Sequence, residues 1–199
     1  DWSWSRGLGD VYKRQTVVDI EAGHSHTCAI MDNGEITCWG DNSQGQLGIG
    51  NTSFMGDSAD EIGDYSTTTS ITPSVTSATP VSLAMGWDHS CALFSNGEAY
   101  CWGDNSQGQL GIGSTSDVGD DSGEMGANMA AVELPTGRTA QQITAGMDFS
   151  CAILDNGDVT CWGDNSQGQL GIGTTSNQGD SSGEMGDSMA MTDLGYSGS

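Results

Sequence analysis

The chain has 199 residues, with 27 acidic against 4 basic side chains and a formal net charge of −23. A field of that sign repels phosphate backbones and anionic lipid, which excludes nucleic-acid binding and disfavours an anionic membrane surface. No apolar run is long enough to span a bilayer, and the ordered recurrence of Trp, Leu, Ile and Cys argues against disorder despite 31 glycines.

Residues 1–15, DWSWSRGLGDVYKRQ, differ from everything after them. They hold three of the 4 bases (Arg6, Lys13, Arg14) and two of the 27 acids, leaving 25 acids against Arg138 alone. Asp10–Gln15 resembles the translated transposon end used to fragment DNA for sequencing libraries. The segment is therefore expected to be an artefact of a metagenomic read, or disordered, and is set apart from fold reasoning. A genuine N-terminal strand or linker is the alternative. The chain stops at GYSGS where a further strand is due, so both ends are expected to be truncated.

The rest is a tandem repeat, and a repeat decides the architecture before any single element does. CWGDNSQGQLGIG occurs three times, beginning at Cys38, Cys101 and Cys161. The expected units are 16–79, 80–139 and a truncated 140–199. In unit 1, Val18–Ala22 alternates like a half-buried strand, and a hairpin runs from Cys28 to Cys38. A glycine-rich turn, an acidic segment from Gly56 and a weaker strand near Thr72–Val75 follow. Unit 2 repeats this with Val81–Met85, Cys91 to Cys101, an acidic segment from Gly119 and a weaker strand near Ala131–Leu134. Unit 3 offers Ile143 and Ala145, then Cys151 to Cys161, then an acidic segment from Gly179. Four short strands per repeat describe a propeller blade. The fold class is all-β, an incomplete β-propeller of about three four-stranded antiparallel blades.

The hairpin can be registered residue by residue. A three-residue loop with a left-handed glycine at Gly34, Gly97 or Gly157 suits Asp-Asn-Gly and Ser-Asn-Gly. In unit 3 that sets Leu154 opposite Asp158, Ile153 opposite Val159, and Cys151 opposite Cys161. Both sulfurs then share one face of neighbouring strands, at a separation that a disulfide tolerates. The favoured reading of Cys28/Cys38, Cys91/Cys101 and Cys151/Cys161 is cross-strand disulfides in an oxidising compartment. Buried free thiols and metal ligation remain alternatives. Cys28, Ile30, Ile36 and Cys38 fall on one face, and Ala29, Met31, Thr37 and Trp39 on the other, so both faces read as buried.

The run AGHSHTCAIMDNGEITCWGDNSQGQLG resembles the regulator of chromosome condensation repeat family, in a bacterial, secreted-type, cysteine-paired form. Gly23, His26, Gly34, Trp39, Gly40, Asn42 and Gly45–Gly48 sit on the motif in unit 1. Gly86, His89, Gly97, Trp102 and Gly103 do so in unit 2, while unit 3 departs with Phe149 in place of the histidine. The resemblance implies a propeller of about seven four-stranded blades, of which three cannot close the ring. The acidic segments lengthen each unit and are expected to form loops on one rim.

Candidate functional residues are few. His26 and His89 could be ligands or bases, but a phenyl ring cannot replace a general base, so a structural role is expected. Trp39, Trp102 and Trp162 are expected in the blade core rather than as a stacking platform, and His24 on the surface. Asp57, Asp60, Glu61 and Asp64 recur in part as Asp120, Asp121 and Glu124, and as Asp180, Glu184 and Asp187. They read as solvated or partner-facing loops, with calcium as the alternative. No cofactor other than calcium is expected, and no catalytic set stands apart from the repeat. The expected function is an extracellular or cell-surface binding scaffold whose rim loops meet a protein or glycan partner. A guanine nucleotide exchange factor-like regulator and a calcium-binding adhesion module are the alternatives.

Overall fold

The computed structural model describes residues 15–59, 61, 68–69 and 78–195. Three antiparallel sheets follow one another along the chain. The first contains β1 (Val17–Ala22), β2 (His26–Met31), β3 (Ile36–Gly40) and β4 (Thr68–Thr69), in that order. The second contains β5 (Pro80–Met85), β6 (His89–Phe94) and β7 (Ala99–Gly103). The third contains β8 (Ala140–Ala145), β9 (Phe149–Leu154) and β10 (Val159–Gly163). The fold is thus all-β and forms a partial propeller, with the first strands β1, β5 and β8 adjacent at the inner edge.

Each hairpin closes in the expected register. Gly34, Gly97 and Gly157 have φ of 83°, 81° and 87°, the left-handed region that a residue without Cβ enters freely. Their amides bond the carbonyls of Met31, Phe94 and Leu154. Cys28 faces Cys38, Cys91 faces Cys101 and Cys151 faces Cys161. The sulfurs are joined at 2.07, 2.08 and 2.07 Å.

The fourth strand is where the expectation and the structure part. Thr72–Val75 lies outside the described residues, and β4 pairs with Ile36 and Thr37 through Thr68–Thr69 instead. Ala131–Leu134 forms no strand: Val132 donates to Ala99 O at 2.8 Å, but Glu133 turns away to Gly111 O at 3.0 Å. In the third blade a single bridge joins Thr160 to Met191. In the second blade the reason is local. Pro135 has no amide to extend a ladder, and Val132 is drawn into the core at 6% exposure.

The core lies between blades, not within them. Cys28, Ile30, Ile36, Cys38 and Leu47 of the first blade meet Ala92, Phe94, Tyr100 and Trp102 of the second. Cys91, Leu93, Ala99, Cys101 and Leu110 meet Ala152, Leu154 and Trp162 of the third. Each of the first two disulfides therefore faces the next blade. Both faces of the second blade are covered, which is why every residue of β6 and β7 is buried.

A repeated polar latch crosses each interface. The Gln46 carbonyl accepts Trp102 Nε1–H at 2.9 Å and the Ser90 hydroxyl at 2.8 Å. Gln109 does the same for Trp162 at 2.9 Å and Ser150 at 3.0 Å. Because each serine spends its proton on a carbonyl, its oxygen must accept from His26 or His89. Both Nε2–Oγ distances are 2.9 Å.

The Gly-x-x-His spacing has a steric cause. A Cβ on Gly23 would strike the His26 ring, one on Gly86 the His89 ring, and one on Gly146 the Phe149 ring. Gly86→Ala is expected to cost about 1–3 kcal/mol, as overpacked core positions do. Urea denaturation checks this, and an unchanged midpoint would refute it.

Candidate functional site

Side chains that differ between the repeats converge at one end of the inner edge. Three turns lie side by side there: residues 23–25 between β1 and β2, 86–88 between β5 and β6, and 146–148 between β8 and β9. Trp87 N–H donates to Met147 O at 3.0 Å, tying the second turn to the third. The His24 and Trp87 rings meet edge to face with centroids 4.6 Å apart. His24, Gly86, Trp87, Gly146 and Met147 line a groove of about 320 Å³, and Met147 is 54% exposed.

Carboxylates crowd this end. Asp41, Asp104 and Asp164, each following a Trp-Gly pair, donate their amides to the carbonyls of Ser25, Asp88 and Asp148 at 2.9, 2.9 and 2.8 Å. Partial burial, then the charges of Asp41 and Asp104, push the Asp88 carboxyl up, against an opposing pull from His24. Burial, then Asp104, Asp164 and Asp88, push Asp148 up. Asp164 is held low, chiefly by the Ser166 amide that bonds it. Arg138, the one Lys or Arg among the described residues, pairs with Asp155 at 3.2 Å. It is not a counter-ion to this cluster.

The histidines singled out by the sequence lie beneath this surface. His26 is 3% exposed and His89 fully buried. Burial lowers His26 to about 4, against a raising effect from Asp41. Burial, then His26, lowers His89 to about 3. A Ser–His pair at 2.9 Å has the outline of a nucleophile and its base. Here the serines are buried and already donate to carbonyls, and among the described residues neither Nδ1 atom has the partner that would orient a catalytic imidazole. Trp102 and Trp162 are fully buried, which leaves no ring face for a ligand, whereas Trp39 is half-buried on the outer face of the first blade.

The acidic segments bend back onto the protein. Glu61 accepts the amides of Gly56 and Ser58, Glu124 those of Gly119 and Asp121, and Glu184 those of Gly179 and Ser181. Each glutamate thus holds its own loop closed. The backbone at Asp120 lies on Gly45, and that at Asp180 on Gly108, so each of these two segments rests on the preceding blade. Asp187 accepts both the amide and the hydroxyl of Thr136, at 2.7 and 2.9 Å. Asp57 bonds Ser58, Asp121 projects into solvent, and Asp60 and Asp64 lie outside the described residues. Among the described residues no group of three or more His, Cys, Asp or Glu side chains is placed to hold a metal, and no helix is long and apolar enough to cross a membrane.

Sequence reasoning sets His24 aside as surface and passes over Trp87, Met147, Asp88 and Asp148. The signal was available. The run from Cys-Trp-Gly onward repeats verbatim, whereas the residue after the motif glycine is histidine, tryptophan and methionine in turn.

Comparisons with known proteins agree with the geometry. A family model described as the regulator of chromosome condensation (RCC1) repeat matches residues 17–46, 81–109 and 140–169, and a second of the same description matches 96–153. The chain is 29% identical over 162 residues to the X-linked retinitis pigmentosa GTPase regulator of Canis lupus familiaris, covering 79% of this chain and 14% of that protein. It is 28% identical over 187 residues to the ultraviolet-B receptor UVR8 of Arabidopsis thaliana, covering 86% of this chain and 38% of the receptor. It therefore spans well under half the length of either relative. Yeast RCC1 (Prp20), solved with Kap60 bound, superposes with a TM-score of 0.61 at 20% identity over 83% of this chain and 36% of the yeast chain. With the repeat motif, the blade-to-blade latch and these matches in agreement, the chain belongs to the regulator of chromosome condensation (RCC1) repeat family.

Proposed function

We propose that the chain is a protein-binding propeller segment of an extracellular or cell-surface protein, and that it acts by binding rather than catalysis. The observation that carries this reading is the convergence of His24, Trp87 and Met147, which differ between otherwise repeated units, on one exposed groove. Where side chains that vary between repeats cluster on one exposed apolar surface, a repeated scaffold can carry specificity. Three disulfides support an oxidising compartment. Glu61, Glu124 and Glu184 hold the acidic segments closed on themselves, and the apolar lining of the groove favours it over these charged loops as the partner surface.

A photo-crosslinking side chain at position 147 tests the reading. A discrete protein adduct is expected from position 147 but not from position 156, which lies at the hairpin turn on the opposite end. Equal adducts from both positions, or none from either, would refute it. The compartment is checked by denaturing freshly lysed cells in alkylating agent without reductant: no alkylated cysteine is expected, and six alkylated ones would place the protein elsewhere. A guanine nucleotide exchange factor-like role is the second reading, favoured by a relative named as a GTPase regulator. Accelerated nucleotide release from a GTPase would select it.

A further inference from the structure

The groove's chemistry narrows the class of partner, and this step rests on the protein-binding reading above. Its floor and walls are apolar: the Trp87 ring, the Met147 thioether and the bare backbone of Gly86 and Gly146. Its flanks are anionic. Asp88 and Asp148 directly follow Trp87 and Met147 in the chain, and the amides of Asp104 and Asp164 bond their carbonyls at 2.9 and 2.8 Å, which brings four carboxylates beside the groove. Asp88 Oδ1 accepts from Gln46 Nε2 at 3.2 Å. Within the described residues no donor bonds the Asp148 carboxylate, and the only Lys or Arg is occupied by Asp155. The groove thus offers apolar and aromatic surface beside negative charge that the described residues do not neutralise.

We propose that this groove takes a basic segment of a partner protein, seating the stem of a lysine or arginine on Trp87 and Met147 with its charged head between Asp88 and Asp148. Lysine and arginine carry a long apolar stem and a cationic tip, and they lay the stem along apolar surface while the head stays polar. A cation over the indole face gains further attraction from the ring. An acidic or purely apolar segment satisfies only half of the site: the first meets like charge, and the second leaves the carboxylates unpaired. A bound cation also relieves the mutual repulsion between Asp88, Asp148 and their acidic neighbours, so complementarity favours association here over the rest of an acidic surface.

The probe is a fluorescent peptide of alternating lysine and serine, with a glutamate–serine peptide as its counterpart, titrated with the whole chain at about 0.15 M salt to screen the diffuse field. The lysine peptide is expected to bind and the glutamate peptide not to. Met147→Ser, Trp87→Leu and Asp148→Asn are each expected to weaken binding about threefold or more, the loss of one exposed cation–aromatic or ionic contact. Asp121→Asn removes the same charge from a distant solvated position and is expected to leave the affinity unchanged. Met147 is 54% exposed, and its side chain makes no hydrogen bond among the described residues, so its variant is expected to keep the fold. The proposal is overturned if neither peptide binds, if both bind alike, or if Asp121→Asn weakens binding as much as Asp148→Asn. A protein adduct at position 147 that the lysine peptide fails to displace would also overturn it, while leaving the protein-binding reading intact.

Discussion

Full reduction of the three disulfides is expected to unfold the protein near room temperature. Each bridge closes a sequence separation of 10 residues. In the chain-entropy account, a loop of that length removes about 2.7 kcal/mol of freedom from the unfolded state. Three bridges together reach about 8 kcal/mol, against a total stability of about 5–15 kcal/mol for a domain. The native state offers little compensation, because Cys28, Cys38, Cys91, Cys101 and Cys161 are buried and freed thiols would fill the same volumes. The loss thus comes through the unfolded chain. The three bridges are not equivalent in packing. Cys91–Cys101 sits between the second and third blades, with Cys91 Sγ 3.8 Å from Ser150 Oγ, whereas Cys151 is partly exposed on the outer face of the third blade. Replacing Cys91 and Cys101 by alanine should therefore cost more than replacing Cys151 and Cys161, by the packing lost at the interface. Thermal melts in matched salt, with and without reductant, measure the first effect. A melting temperature unmoved after all six thiols are released would refute it.

How much of this was legible in the sequence follows the range of each interaction. The Cys28-to-Cys38 spacing favours one turn length, one register and one pairing, because a hairpin that closes over ten residues has few solutions. Strand faces are readable for the same reason: alternation is local, and Ile30 with Ile36 had to share a side. The blade-to-blade contacts are not readable. His26 reaches Ser90 across 64 residues and His89 reaches Ser150 across 61, and no spacing rule says which strand of the next unit lies opposite. Sequence shows that Phe149 can fill the histidine position, but not that the ring rests on a glycine. It shows acidic segments, and charge reads as solvent-facing; that Glu61, Glu124 and Glu184 close their own loops depends on backbone geometry outside any composition signal. The fourth strand expected in unit 2 fails because Ala131–Leu134 has strand character but leads into Pro135.

Acid weakens the protein through the same two histidines, and the unit that lacks one shows how to isolate the effect. Folded His26 and His89 titrate at about 4 and about 3, against 6.5 when exposed in the unfolded chain. The unfolded state therefore binds more protons between these values, and stability is lost as pH falls from about 6.5 through the folded pKa. The cause is geometric. In each ring Nε2–H is committed to serine, so an added proton must go to Nδ1, which is buried with no partner among the described residues. A tenfold loss of proton affinity is worth about 1.4 kcal/mol, so full protonation costs about 3 kcal/mol at His26 and about 5 kcal/mol at His89. Burial acts in the opposite sense on Asp88, Asp117, Asp120 and Asp148: it raises these carboxyls, so they take protons more readily in the folded state and favour it as pH falls. The whole-protein profile mixes both trends, and a variant difference separates them. His89→Phe copies the third unit, where Phe149 covers Gly146 as His89 covers Gly86. At pH 7 it should cost about 1 kcal/mol, the loss of one buried hydrogen bond to Ser150. At pH 4 it should be about 2 kcal/mol more stable than the parent, because it has no imidazole to protonate. Urea denaturation at both pH values should show the two stability curves crossing, and curves that stay parallel would mean that His89 does not govern the acid response.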